Sequence, residues 1–121
     1  MTDNQQGATM ERTAEEWGRV AVALPGWRWM PGMRGLGFTH VRLGWNTPDP
    51  DDPATAGCLL ELHNQGGGWH WVEVDTQAMS YRLCSWMGQG QPVTRGPLAT
   101  TPGRACIAGA EVNGRWPGGG R

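Results

Sequence analysis

Two Pro-Gly pairs, Pro25-Gly26 and Pro31-Gly32, enclose the segment Trp27–Met30 and limit what the chain can form around it. Proline interrupts a helix, and glycine supplies the positive φ that many turns require, so each pair ends a regular element. The residues between the pairs are too few for a helix. The chain must therefore turn here, from one element before the first pair to another after the second.

The residues before the first pair have a helical pattern. Thr13 and Glu16 have the spacing of a capping box, although a start at Thr9 is equally compatible with the sequence. The apolar side chains that follow recur with the spacing of one helix face: Trp17, Val20, Ala21 and Leu24. We predict a helix within Thr9–Leu24 that ends at the first pair.

A strand pattern follows the second pair. Leu36–Leu43 alternates between two sides and predicts a strand, with which Trp27–Met30 could pair to form a hairpin. Gly44–Asp52 is acidic and rich in proline, which predicts a loop.

A second helix is predicted from Pro53, with Asp52 as its N-cap. Its expected buried stripe consists of four residues: Thr55, Cys58, Leu59 and Leu62. The residues from His63 to Gly66 are expected to end this helix.

Two further strands are predicted at Trp69–Asp75 and Met79–Met87, joined by a short turn as a hairpin. Both faces of this hairpin carry large apolar side chains, so the pattern does not decide which face is buried. A sheet covered by helices on one side, with tryptophans partly open on the other, fits these strands. We predict that Gly88–Thr100 is a loop.

Thr101 and Pro102 predict the start of a last helix, which Asn113-Gly114 stops after Val112. The order of the elements predicts an α+β fold. We expect an antiparallel sheet of three to four strands packed by two main helices and a short C-terminal helix. One domain is expected over residues 9–114, with a disordered N-terminus over 1–8 and a flexible tail over 115–121.

Composition restricts the core and the class of partner. The chain has eight Trp and six Met but one Phe and one Tyr, so Trp and Met must supply much of the packing. All ten basic residues are arginine, which fits either coding bias in a GC-rich genome or an arginine-based anion site. The net charge of −1 argues against nucleic acid as a partner.

Neither a membrane segment nor a disulfide framework is indicated. No stretch approaches the ~20 apolar residues of a membrane span, and no apolar run follows a basic start. The three cysteines, Cys58, Cys84 and Cys106, form no CxxC pair. We therefore expect a cytoplasmic protein with reduced cysteines and no membrane partner.

Catalytic and metal chemistry has little support in the sequence. Cys58, His63 and His70 could be metal ligands, but their spacing matches no ligand signature. Cys84 and His70, with Glu73 nearby, could form a nucleophilic set, but only through the adjacency of two strands. We predict no catalytic residues, no metal and no cofactor.

Three segments together resemble a known group of proteins: Leu24–Met33, Asp52–Leu62, and a tryptophan-bearing hairpin followed by a Thr-capped, alanine-rich helix. The group consists of small, uncharacterised proteins encoded by tailed bacteriophages and prophages of GC-rich bacteria. The resemblance covers roughly residues 13–112 and implies a phage or prophage setting, without an activity. The chain departs from the group at the three glycines of residues 66–68, where a longer helix end is usual.

Tryptophan and arginine are the residue types most enriched at binding hot spots. The candidate binding residues are accordingly Trp27, Arg28, Trp29, Arg34, Trp69 and Trp71. The predicted function is that of a small non-enzymatic accessory protein that binds a host or phage protein. The alternative is a protein that binds a small anion such as a nucleotide, by stacking on tryptophan and by charge from Arg28, Arg34 or Arg42. A purely structural interpretation places one tryptophan in the core and Arg28 between two rings as a cation–π spacer.

Overall fold

The computed structural model describes residues 12–36 and 47–117. This part of the chain contains three helices and two antiparallel sheets, one of two strands and one of three. The predicted α+β class is therefore confirmed. None of the helices in the described ranges is long and apolar enough to cross a membrane.

The first helix, α1 (Ala14–Ala23), begins at the predicted capping box. The Thr13 hydroxyl accepts a hydrogen bond from the Glu16 N–H at 3.1 Å, and the Glu16 carboxylate accepts one from the Thr13 N–H at 2.8 Å. Both bonds satisfy N–H groups that a helix start leaves without partners. The helix turns its Trp17 and Ala21 side chains into the core.

The second helix, α2 (Pro53–Asn64), begins at Asp52, whose carboxylate accepts from the Thr55 N–H. Its buried face contains three of the four predicted residues, Thr55, Leu59 and Leu62. The fourth, Cys58, is half-buried, and its thiol donates to the Pro31 carbonyl at 3.4 Å. His63, which the sequence places at the end of the helix, is fully buried.

The small sheet pairs β1 (Gly35–Leu36) with β2 (Thr47–Pro48). The predicted hairpin is wrong, because Trp27–Met30 forms no strand and Thr47–Pro48, inside a predicted loop, is the partner of β1. The turn predicted at Pro31-Gly32 is present: the Met33 N–H donates to the Met30 carbonyl, and Gly32 has a φ of 99°. Residues 37–43 of the predicted strand lie outside the described ranges.

The larger sheet has the order β3 (Trp69–Asp75), β4 (Ser80–Trp86), β5 (Thr94–Ala99). The hairpin of the first two strands is confirmed. The predicted loop over Gly88–Thr100 is wrong, because it contains β5. Gly96 and Pro97 are unfavourable in a strand interior, so the sequence does not predict β5. They are accommodated here because β5 lies at the sheet edge, beside a register shift.

The third helix, α3 (Pro102–Asn113), is capped by Thr101 and stopped by Gly114, as predicted. It packs against all three strands of the larger sheet and against α1 and α2. Every residue from Ala105 to Ala110 is buried, so this helix forms the centre of the core. Small residues permit the close approach: a Cβ on Gly109 would lie 2.5 Å from Leu83 Cδ2.

The predicted flexible tail does not begin at Arg115, because Trp116 is buried in the core. Its backbone N–H donates to the Pro25 carbonyl at 2.8 Å, and its indole Nε1–H donates to the Ala21 carbonyl at 2.9 Å. The domain therefore extends at least to this residue. Residues 1–11 and 118–121 lie outside the described part of the chain.

The turn between β3 and β4 holds Met79 in the left-handed region, at a φ of 54°, with its side chain 80% exposed. This conformation is costly for a residue with a Cβ and free of that cost for glycine. We expect Met79→Gly to raise the free energy of unfolding by up to about 1 kcal/mol in urea denaturation. Gln77→Gly, in the same turn without a positive φ, should instead lower it. A loss of stability in Met79→Gly would show that the backbone there is not strained.

Candidate functional site

The larger sheet has one face covered by helices and one face open, as the alternation of β3 allows. His70 and Val72 point toward the helices, where Val72 packs on the core. The opposite face carries no helix among the described residues. We call it the open face; it comprises Trp69, Trp71, Glu73 and Asp75 of β3, Arg82, Cys84 and Trp86 of β4, and Arg95 and Leu98 of β5.

One end of the open face is aromatic. Trp69 and Trp86 lie directly opposite each other, with ring centroids 5.1 Å apart and an interplanar angle of 31°. The Trp86 indole N–H donates to the Gln91 carbonyl at 2.9 Å, which fixes that ring. Trp69 is 60% exposed and Trp71 36% exposed. A pre-arranged apolar surface is therefore presented to solvent at this end.

The other end of the open face is ionic. Arg82 donates to Asp75 and approaches Glu73, while Arg95 Nε lies 3.4 Å from Glu73 Oε1. A hydrogen bond from the Ala78 N–H, together with the charge of Arg82, lowers the pKa of Asp75. Two cations thus face two anions. The open face carries no excess of positive charge for a phosphate or carboxylate ligand.

Cys84 lies between these ends, in surroundings that disfavour a thiolate. Burial, with the nearby Glu73 carboxylate, raises the pKa of its thiol, which keeps it protonated. His70 lies on the helix-covered face, because it pairs with Ser85 and not with Cys84. The catalytic set considered from the sequence is therefore split between two faces of the sheet.

Both outer strands of this sheet are interrupted at their edges. The His70 N–H donates to the Asn64 side-chain oxygen at 2.8 Å, and the Asn64 amide donates back to the His70 carbonyl at 3.4 Å. On the other side, Pro97 has no N–H to offer an added strand. Pairing with a further strand is disfavoured at both places. We therefore consider the open face, and not an edge, as the candidate binding surface of this sheet.

The first four candidate residues lie elsewhere. Trp27 is half-buried and meets Trp29 edge-to-face at 5.5 Å and Trp116 at 5.7 Å between ring centroids. Arg28 does not lie between the rings, since its guanidinium donates to the side chain of Gln65. The cation–π contact in the described residues is instead made by Arg12, 4.7 Å above the Trp17 ring.

Trp29 is 40% exposed, and Arg34 is exposed while its backbone N–H donates to the Thr55 hydroxyl. In the described ranges, no ring contact joins Trp27 or Trp29 to the open face. The structure therefore divides the six candidate residues between two surfaces. Arg42, considered for the anion site, lies outside the described residues.

His63 is buried in the core and His70 is partly buried beside it, and the described residues contain no cluster of three or more metal-ligating side chains. His63 Nε2 lies 2.9 Å from the Cys106 carbonyl, and because a carbonyl only accepts, this nitrogen carries the proton. Burial lowers the pKa of His63 to about 4. The imidazole is neutral and packs against Trp116 and His70, with centroids 5.1 and 5.2 Å away.

Trp86 was not among the candidate residues, although it completes the aromatic end of the open face. Its place follows from hairpin register alone: a turn that puts Asp75 opposite Ser80 also puts Trp69 opposite Trp86. A search against protein-family models, curated proteins and solved structures finds no match to this chain.

Proposed function

We propose that this chain is a non-enzymatic binding domain whose open face docks another protein. The observation that supports the proposal is the fixed Trp69–Trp86 pair beside the exposed Trp71 on a sheet face without a covering helix. Rigid aromatic side chains contribute large contact area at low entropic cost, which is why they dominate interface hot spots.

The ionic end favours a protein partner over a small anion. Exposed ion pairs contribute little to folding stability, but at the rim of an interface they select register and orientation. A nucleotide-like anion would need converging arginines, whereas Arg82 and Arg95 face Glu73 and Asp75. Anion binding is thus the second function we consider, and the charge balance of the open face argues against it.

On the basis of the resemblance to small proteins of tailed phages and prophages, we propose that the partner is a host or phage protein. We propose that the two proteins bind in the host cytoplasm. We further propose that the protein acts by occupying a surface of this partner and not by catalysis. Cys84 and His70, the groups closest to a catalytic pair, lie on opposite faces of the sheet, which supports this choice.

Substitution of Trp69 and Trp71 tests the proposal. The wild-type protein is used to capture a partner from the lysate of a bacterial host, and the purified partner is then titrated with Trp69→Ala/Trp71→Ala. We expect binding to weaken at least about 30-fold, or about 2 kcal/mol, because two hot-spot side chains are removed.

Trp29→Ala is the matched control, since it truncates an exposed tryptophan on the other surface. It should leave the dissociation constant within about twofold. The proposal is overturned if Trp29→Ala weakens binding and the double variant does not, or if the wild type captures no partner at micromolar concentration.

A further inference from the structure

A cleft lies on the helix-covered side of the larger sheet, and most of the residues that line it do not belong to the open face. It has a volume of about 310 Å³ and is bounded by β4, β5 and the last turn of α3. The contact of Gly109 with Leu83 brings the helix down onto the sheet, and Val112 and Asn113 form the wall beyond this contact. Its volume is at the lower end of the ~300–1,000 Å³ range of small-molecule sites.

Three uncharged polar side chains line the cleft: Ser85, Thr94 and Asn113. Ser85 and Thr94 are directly opposite each other on β4 and β5, so their side chains leave the paired backbone next to each other on the same face. Within the described residues, neither these hydroxyls nor the Asn113 amide makes a hydrogen bond to the protein. Their capacity to donate and accept is available to a ligand.

Charge plays little part in the cleft. No acidic side chain lines it, and its one charged lining residue among the described positions, Arg95, is paired with Glu73 of the open face. The remaining surface is apolar and includes Leu83 and Val112. A ligand that fits these walls has an apolar body and an uncharged head that both donates and accepts hydrogen bonds.

We propose that this cleft is a second binding site, which takes a small uncharged molecule with a ring or branched alkyl body and an amide or hydroxyl head. The apolar body packs on Leu83 and Val112, and the head hydrogen-bonds to Ser85, Thr94 and Asn113. This site is independent of the docking function of the open face.

Three probes of one shape and different charge test the proposal: benzamide, benzoate and benzamidine. Each is titrated into the ¹⁵N-labelled full chain, and amide shifts of Ser85, Thr94, Gly96, Gly109 and Asn113 are followed. We expect saturable shifts at these positions with benzamide, and binding at least about fivefold weaker for both charged probes. Tighter binding of benzoate would instead identify an anion site at Arg95 and overturn the proposal.

Asn113→Leu removes the amide at nearly constant size, at an exposed helix end where folding is little affected. It should weaken benzamide binding about fivefold, the loss expected for one hydrogen bond. Gln77→Leu, which removes an exposed amide from the β3–β4 turn, should leave it unchanged. Equal affinity of Asn113→Leu and wild type, or no saturable shift up to about 10 mM benzamide, overturns the proposal.

Discussion

Replacing Trp116 with alanine is expected to lower the free energy of unfolding by about 3–5 kcal/mol, the largest effect that we predict for one side chain. The ring is fully buried and contacts Trp27 and His63. The substitution would leave a cavity between α1 and α2 and would remove the indole bond to the Ala21 carbonyl. The Ala21 carbonyl keeps its hydrogen bond from the Leu24 N–H at 3.4 Å, so the cavity accounts for most of the expected loss.

Trp69→Ala is the matched control, because the same atoms are removed from a ring that is 60% exposed. It should cost less than about 1 kcal/mol. Urea denaturation followed by far-ultraviolet circular dichroism measures both values. If Trp116→Ala were no more destabilising than Trp69→Ala, residues beyond Gly114 would not be part of the folded domain.

Lowering the pH from about 6.5 to about 4 is expected to cost about 3 kcal/mol of stability through His63 alone. The unfolded chain protonates this imidazole below its ordinary pKa of 6.5, whereas burial holds the folded-state pKa at about 4. Stability from the neutral imidazole is therefore complete above pH 6.5 and is lost progressively as the pH falls toward 4. Burial also lowers the pKa of His70, so its contribution has the same sign.

His63→Gln separates this effect from that of the carboxylates. The glutamine amide can donate to the Cys106 carbonyl in place of Nε2, but it does not titrate. Unfolding free energies measured between pH 7 and 4.5 should fall steeply for the wild type and much less for the variant. Parallel curves would mean that His63 is protonated, or exposed, in the folded protein.

The elements that could be predicted from the sequence are those with local start signals. Thr13 with Glu16, Asp52 with Pro53, and Thr101 with Pro102 each define a helix start within four residues, and all three are confirmed. These signals act through backbone N–H groups of the same helix turn, so they do not depend on the rest of the fold.

The elements that escaped prediction depend on contacts distant in the chain. The strand Thr94–Ala99 has no alternation, and it exists because β4 offers it a free edge. Trp116 follows a strong helix stop in a glycine-rich stretch, and its burial is determined by carbonyls near residues 21–25. Local propensity contains no information about either partner.

The candidate site shows the same division. Trp69 and Trp71 could be selected by residue type, and their shared face follows from the two-residue period of a strand. Composition could not separate them from Trp27 and Trp29, because all four are tryptophans in apolar surroundings. In the structure, Trp27 packs against the buried Trp116 at the edge of the core, away from Trp69 and Trp71 on the open face.

Indole N–H signals in a ¹⁵N spectrum of the partner complex test the docking proposal most directly, because the chain has eight tryptophans as built-in reporters. We predict that the signals of Trp69, Trp71 and Trp86 shift or broaden when the partner is added, while those of the buried Trp17 and Trp116 do not. Changes confined to Trp27 and Trp29 would contradict the account and would move the binding surface to the segment between the two Pro-Gly pairs.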